Sequence, residues 1–211
     1  MRHSLKYALA APLFCVIGLA GRPANAAASI CDAIATNLVQ DCGFEQASIG
    51  DGTQNANSPV GWTFVEASRG SDSEVAGSPN SGDQAFALGA FHGENDTLTQ
   101  TITTTIGTNY AFTFYLVGDP ASATSGIGFV AKWDGGAVTT LTADTSSAYQ
   151  EFTYIVAGTG SDTISLAAND PASFLYLDDV SVSAVVPEPA TMLLFGVGLA
   201  GLRVVRRRRR V

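Results

Sequence analysis

The stretch NYAFTFYLV, residues 109–117, puts Tyr110, Phe112, Phe114 and Leu116 on one side of an extended chain and Ala111, Thr113, Tyr115 and Val117 on the other. Side chains alternate across a strand but recur every 3.6 residues on a helix, so this order suits a strand with one buried face. Similar runs follow one another. TLTQTITTT (97–105) sets Leu98, Gln100, Ile102 and Thr104 on one side. GFVAKW (128–133), YQEFTYIV (149–156), DTISLAA (162–168) and SFLYLDDVSV (173–182) come after it, separated by Gly, Asp, Asn, Ser and Pro. Short β-rich runs at regular spacing, without a helical stripe, predict an all-β antiparallel sandwich or jelly roll. Within it, Trp62 reads as a core residue.

Both ends of the chain depart from this pattern. A basic start, MRHSLKY, an apolar stretch, ALAAPLFCVIGLAG, and small residues at Ala24 and Ala26 make residues 1–26 a secretory signal peptide that enters the Sec translocon. Cleavage near Ala26 is expected, with Ala28 next; an uncleaved N-terminal anchor is the alternative. At the other end, Pro187, Glu188 and Pro189 precede an uncharged run from Ala190 to Leu202, followed by Arg203 and then Arg206, Arg207, Arg208, Arg209 and Arg210. As a helix, this run spans roughly 20 Å against a hydrocarbon core of about 30 Å, which makes it a short, marginal transmembrane anchor. Arginines beside a membrane segment stay on the cytoplasmic side, so the body of the protein lies outside. Both prolines disfavour helix in the residues before them, which keeps the triplet extended and accessible.

The triplet, the apolar segment and the arginine cluster, in that order at the C-terminus, resemble the PEP-CTERM sorting signal of Gram-negative, exopolysaccharide-producing bacteria. The resemblance implies recognition by an exosortase-type membrane enzyme that cuts near Pro187, Glu188 and Pro189. It also implies transient anchoring in the inner membrane, then delivery to the cell surface or outside. A plain anchor with an incidental triplet is the alternative.

This organisation leaves residues 27–185 as one β-sandwich domain, with the sorting signal at 186–211. Arg69 and Lys132 are the only basic residues between 27 and 186, against eighteen of the 19 Asp and Glu, a net charge of −16. A basic nucleic-acid footprint is absent. So many oxygen donors outside the cell make Ca²⁺ an expected partner, although a solvated acidic surface accounts for most of them. Cys15 leaves with the signal peptide, and the remaining pair, Cys31 and Cys42, suits a disulfide in an oxidising compartment, two free thiols being the alternative. With no C-x-x-C and no Cys/His cluster, zinc or thioredoxin-like chemistry is not expected.

NLVQDCGFEQ (37–46), PVGWTF (59–64), SGDQAFAL (81–88), IGTNYAFTFYLVGDP (106–120) and LYLDDVSV (175–182) resemble galactose-binding-like jelly rolls, a group that includes many carbohydrate-binding modules. Asp41 and Cys42 depart from the Asn-Gly turn of that pattern. The resemblance implies an opening strand near a closing strand and a structural Ca²⁺ between them. Carried over residue by residue, it nominates Glu45 and either Asp178 or Asp179, with Asp83 a further candidate; strand parity puts at most one of the two neighbouring aspartates in the site. Sugar binding needs aromatic faces beside polar groups, and Phe91, His92, Tyr115 and Trp133 are the candidates. His92 is the one histidine outside the signal peptide, and no G-x-S-x-G, H-E-x-x-H or phosphate-binding glycine motif occurs.

The expected function is therefore that of an exported, non-catalytic surface or extracellular-matrix protein, such as a biofilm component, that binds polysaccharide. A structural or adhesive matrix component without a sugar site is the alternative. An extracellular glycoside hydrolase comes third.

Overall fold

The computed structural model describes residues 28–46, 59–67, 73–90, 94–118, 127–142, 147–171 and 173–186. The signal peptide, Phe91 and His92, the Pro-Glu-Pro triplet, the apolar segment and the arginines lie outside them. Among the described residues, no helix is long and apolar enough to cross a membrane.

A 3-10 turn at Ile30–Ala33 precedes ten strands: β1 (Thr63–Val65), β2 (Glu74–Ala76), β3 (Ala85–Leu88), β4 (Asp96–Thr103), β5 (Asn109–Gly118), β6 (Gly128–Trp133), β7 (Gly136–Thr142), β8 (Gln150–Ala157), β9 (Ser161–Asn169) and β10 (Leu175–Ala184). They form two five-stranded sheets, β1-β4-β9-β6-β7 and β2-β3-β10-β5-β8, with every pairing antiparallel. This is the jelly-roll sandwich expected from the alternation.

Inward positions of both sheets make one core. Phe112, Phe114 and Leu116 of β5 are fully buried, as are Leu98 of β4, Phe129 of β6, Ile164 and Leu166 of β9 and Leu177 of β10. The sheets interlock through rings, Phe114 lying 5.2 Å from Phe129 and Phe112 lying 6.2 Å from Trp133. Gln100, at an inward position of β4, does the work of a strand backbone: its amide oxygen accepts from Gln40 N–H at 2.8 Å and its amide nitrogen donates to Gln40 C=O at 3.1 Å. Between β6 and β7 the two-residue Asp134-Gly135 loop has φ of 48° and 81°. Positive φ at both positions matches the twist of a tight hairpin, and Asp-Gly is a sequence that accepts it.

Two expectations need correction. The opening segment 37–46 forms no strand. It runs beside β10 with two backbone bonds, Leu38 N–H to Val182 C=O at 2.9 Å and Val180 N–H to Cys42 C=O at 2.8 Å. Positive φ at Asp41 (47°) and Phe44 (60°) breaks the extended ladder. The Asp41 carboxylate holds that geometry by accepting from Gln46 N–H and Val60 N–H at 3.0 and 3.1 Å.

The second correction concerns Asp178 and Asp179. Strand parity separates neighbours, yet both are buried, at 0% and 1% exposure. Against β5, Asp178 pairs with Tyr115 while Ser181 pairs with Thr113, so β10 carries one extra residue at this point. Asp179 takes up the irregularity with φ of 49°. A bulge of this kind re-aims side chains and suspends the parity rule.

Candidate functional site

The bulge turns two carboxylates onto one loop. Asp178 Oδ2 accepts from the backbone N–H groups of Asn80 and Ser81 at 2.7 and 3.1 Å, and its Oδ1 accepts from Asp179 N–H at 2.7 Å. Asp179 accepts from the Asn80 side-chain amide at 2.9 Å and from the Ser81 hydroxyl at 2.8 Å. Cys31 N–H also points at Asp179 Oδ1, at 3.4 Å. A disulfide joins Cys31 to Cys42 with Cα atoms 6.1 Å apart, so the entering chain is stapled to the segment that runs along β10.

Glu45 reaches the same region from the other side. Its Oε1 accepts from Asp83 N–H and Gln84 N–H at 2.6 and 2.8 Å. Asp83 thus enters the cluster through its backbone, and its residue is exposed. Glu45 Oε2 is buried without a hydrogen-bond partner, and so is the Ser29 hydroxyl. Two glycines make room for these oxygens: a Cβ on Gly82 would run into Glu45 and the Ser29 hydroxyl, and one on Gly43 would run into Ser29 beside Asp178 Oδ1. Unpartnered buried oxygens are costly, and a hard cation is one agent that satisfies them.

The donor set suits Ca²⁺ in chemistry, being all oxygen and anionic. Its geometry is open. Among the described residues, only Cys31, Asp32 and Cys42 put three His, Cys, Asp or Glu donors within 4.8 Å of one another, and the disulfide leaves that trio no thiolate. Glu45, Asp178 and Asp179 therefore do not converge on one point. The unpartnered oxygens are Glu45 Oε2 and the Ser29 hydroxyl, while Asp178 and Asp179 both accept hydrogen bonds from the 80–81 loop.

Electrostatics mark Asp178 as the strained member. Burial, and then the neighbouring Asp179 charge, push its carboxyl up to about 7, against the pull of three backbone N–H groups. Because the folded value exceeds the ordinary 3.8 of the unfolded chain, this carboxyl's contribution to stability is complete below pH 4 and is lost as pH rises through 7. In chelator, melting temperature is expected to fall across pH 4 to 8, and Asp178→Asn to flatten that slope; an unchanged slope in the variant would contradict the assignment.

The aromatic candidates separate. Trp133 is only 9% exposed, its indole N–H donates to Ala157 C=O at 3.1 Å, and its ring packs on Phe112, so it is a core residue and offers no face to a sugar. Strand parity with Phe129 and Ile127 put it there. Tyr115 is half-buried on the outer face of β5, opposite Glu151 of β8. It lines a hollow of about 160 Å³ with Ile30, Ile34, Thr113 and Glu151, and burial followed by the Glu151 charge push its phenol up.

Two tyrosines that the sequence reading passed over form the larger recess. Tyr149 and Tyr176, both half-buried, border an open cleft of about 440 Å³ with Ser78, Pro79, Val117 and Ser147. The Tyr149 hydroxyl donates to Ser78 C=O at 2.6 Å, and burial, then the Asp178 charge, push its phenol up. In the sequence both fall in strand runs, YQEFTYIV and LYLDDVSV. The signal available was outward parity: Tyr176 alternates with the buried Leu175 and Leu177.

The fold is similar to that of solved structures with distant sequences. A family 61 carbohydrate-binding module in complex with β-1,4-galactotriose is 15% identical, with 71% of this chain and 99% of that chain covered and a TM-score of 0.48. A CBM4 module is 19% identical over 69% and 99%, with a TM-score of 0.43. The enzymatically active domain of tailspike protein 4 of bacteriophage CBA120 is 13% identical, with a TM-score of 0.49; the match covers 71% of this chain and 22% of that one. No curated protein matches the sequence. The C-terminal segment is specific where the sandwich is not: residues 185–210 match the PEP-CTERM protein-sorting motif.

Proposed function

We propose that the chain is an exported, non-catalytic β-sandwich protein, processed by an exosortase-type enzyme at Pro187, Glu188 and Pro189 and displayed at the cell surface or in the extracellular matrix. The observation that carries this reading is the position of the sorting motif, which begins at residue 185, directly after β10 ends at Ala184. No separate linker intervenes, so the folded domain is the cargo that the signal delivers. Replacing Pro187, Glu188 and Pro189 by Ala is expected to leave the protein in the membrane fraction with its tail intact. Undiminished release of that variant would contradict the reading.

On arrival, the domain binds polysaccharide through the cleft at Tyr149 and Tyr176. Aromatic rings beside backbone carbonyls and hydroxyls suit sugar C–H faces and hydroxyls together. Tyr149→Ala and Tyr176→Ala are each expected to weaken retention on the producer's own polysaccharide about tenfold, the equivalent of about 1.4 kcal/mol per ring. Retention that is absent in the parent protein would favour a structural or adhesive unit without a sugar site, and release of reducing sugar would point to hydrolysis.

A structural Ca²⁺ held by Glu45, Ser29 and Asp178 supports the junction of the entering chain, the 80–83 loop and β10. It neutralises carboxylates that burial otherwise penalises. At a hundredfold excess over its dissociation constant, Ca²⁺ is expected to add about 2.7 kcal/mol. For a domain this size that is a rise in Tm of roughly 5–10 °C relative to chelator. Equal melting temperatures in Ca²⁺ and chelator would remove the ion from the account.

A further inference from the structure

Strand directions place one end of the sandwich beside the chain exit. The turn after β4 (104–108), the turn between β8 and β9 (158–160) and the last described residues, Val185 and Val186, meet there. Thr104 N–H donates to Gly160 C=O at 3.1 Å, Gly107 N–H to Gly158 C=O at 2.9 Å, and Val185 N–H to Asn109 C=O at 2.8 Å. This end carries exposed apolar side chains: Ile106 at 78%, Val186 at 77% and Val185 at 40%, with Ile155 at 62% two residues in from Ala157. Ile106 sits against Gly160.

Among the described residues, the same end is nearly free of surface charge, in a domain whose net charge is −16. None of residues 103–109, 157–161 or 183–186 is ionisable. Asp162 is fully buried and turned inward, accepting from the Thr104 hydroxyl and from the Thr159 N–H and hydroxyl. Among the described residues, Asp134 is the exposed acid nearby, and its carboxylate accepts from Thr163 N–H at 2.7 Å. An exposed apolar rim with so little charge is unusual on a strongly acidic protein and indicates a surface that is covered in use.

The chain itself identifies what covers it. Five residues, 185–189, separate β10 from the apolar run that starts at Ala190. Fully extended, that connection reaches at most roughly 20 Å, and the headgroup layer is itself about 6 Å deep on each side of the hydrocarbon. We infer that, before processing, this end of the domain rests on the membrane, with Ile106, Val185 and Val186 in the headgroup layer. The inference depends on the reading of the C-terminal segment as a membrane anchor. It gives the exposed valines and isoleucine a role that ends when the tail is cut, and it fixes which side of the domain faces the membrane-embedded processing enzyme. The opposite end, with the Tyr149 and Tyr176 cleft, then points away from the bilayer.

The test uses the full chain with its tail, reconstituted into phosphatidylethanolamine and phosphatidylglycerol vesicles in which part of the lipid carries brominated acyl chains. Trp is introduced by Ile106→Trp or, as a control at the opposite end of the sandwich, by Val65→Trp, a position 55% exposed. The native Trp62 and Trp133 are buried and contribute equally to every sample. Bromolipid is expected to quench the fluorescence added at 106 at least twice as strongly as that added at 65. Equal quenching in protein that floats with the vesicles would overturn the proposal while leaving the anchor in place. Protein that fails to float would overturn the anchor reading, and this proposal with it.

Discussion

Phe114→Ala is expected to destabilise the domain by 3–5 kcal/mol, lowering its melting temperature by roughly 10 °C or more. Phe114 is fully buried at the centre of β5 and touches aromatic rings on both sides of the sandwich. Its centroid lies 5.2 Å from Phe129 in the opposing sheet, and 5.4 and 5.6 Å from Phe152 and Phe112 in its own. Truncation removes the burial free energy of the ring and leaves a cavity that well-packed sheets cannot close, so both terms add. The neighbouring Thr113→Ala is the control. That hydroxyl meets Thr153 Oγ at 2.8 Å on the partly exposed outer face, and its loss is expected to change stability by about 0.5 kcal/mol or less. Thermal unfolding of both variants checks the pair. Comparable losses at 113 and 114 would mean that the core does not sit between the sheets as described.

Removal of the Cys31–Cys42 disulfide is expected to cost about 3 kcal/mol, because the bond closes an 11-residue separation and its loss frees that loop in the unfolded chain. The effect has a location as well as a size. Cys31 N–H faces Asp179, and Cys42 C=O accepts from Val180, so the bond fastens the entering segment to the bulge in β10. Replacing both cysteines by Ser is therefore expected to speed hydrogen exchange at Val180 and Val182 more than at the centres of β5 or β9. Exchange that rises uniformly would indicate that the bond acts only on the unfolded chain.

Much of the fold was legible because its central strands are amphipathic ribbons. Leu98, Gln100 and Ile102 share the buried side of β4, with Thr104 just beyond its end, and Tyr110, Phe112, Phe114 and Leu116 share that of β5. Strand β7, Gly136–Thr142, was not, since it is an edge strand rich in Thr and largely exposed, and so lacks the apolar half of an alternation. The three-residue β2 is too short to show a period. Parity was sound wherever the ladder is regular and failed at Asp178 and Asp179, where one inserted residue brings both inside. A bulge depends on the fit between two strands distant in sequence, and no local pattern announces it. Trp133 shows the converse: its aromatic face makes it a sugar candidate while its parity with Phe129 points to the core, and the buried bond to Ala157 decides for the core.

The candidate site was legible as a set of residue types and only partly as an arrangement. Glu45, Asp178 and Asp179 all lie around the 80–84 loop, but Glu45 and Asp178 meet it through backbone N–H groups that no side-chain motif encodes, and Asp179 through the Asn80 and Ser81 side chains. Nothing in the sequence marks Ser29, whose buried hydroxyl has room only because Gly43 and Gly82 carry no side chain. The tyrosine pair of the cleft comes from the residue before β8 and from the start of β10, two strands that are not neighbours in sequence.

Residues 185–210 sort the exported protein and are then removed, and every later step depends on this. Intact-mass measurement of the protein recovered outside the cell tests it directly. The expected species begins near Ala27 and ends near Pro187, without the run Arg206 to Arg210. An exported protein that retains those arginines would contradict it.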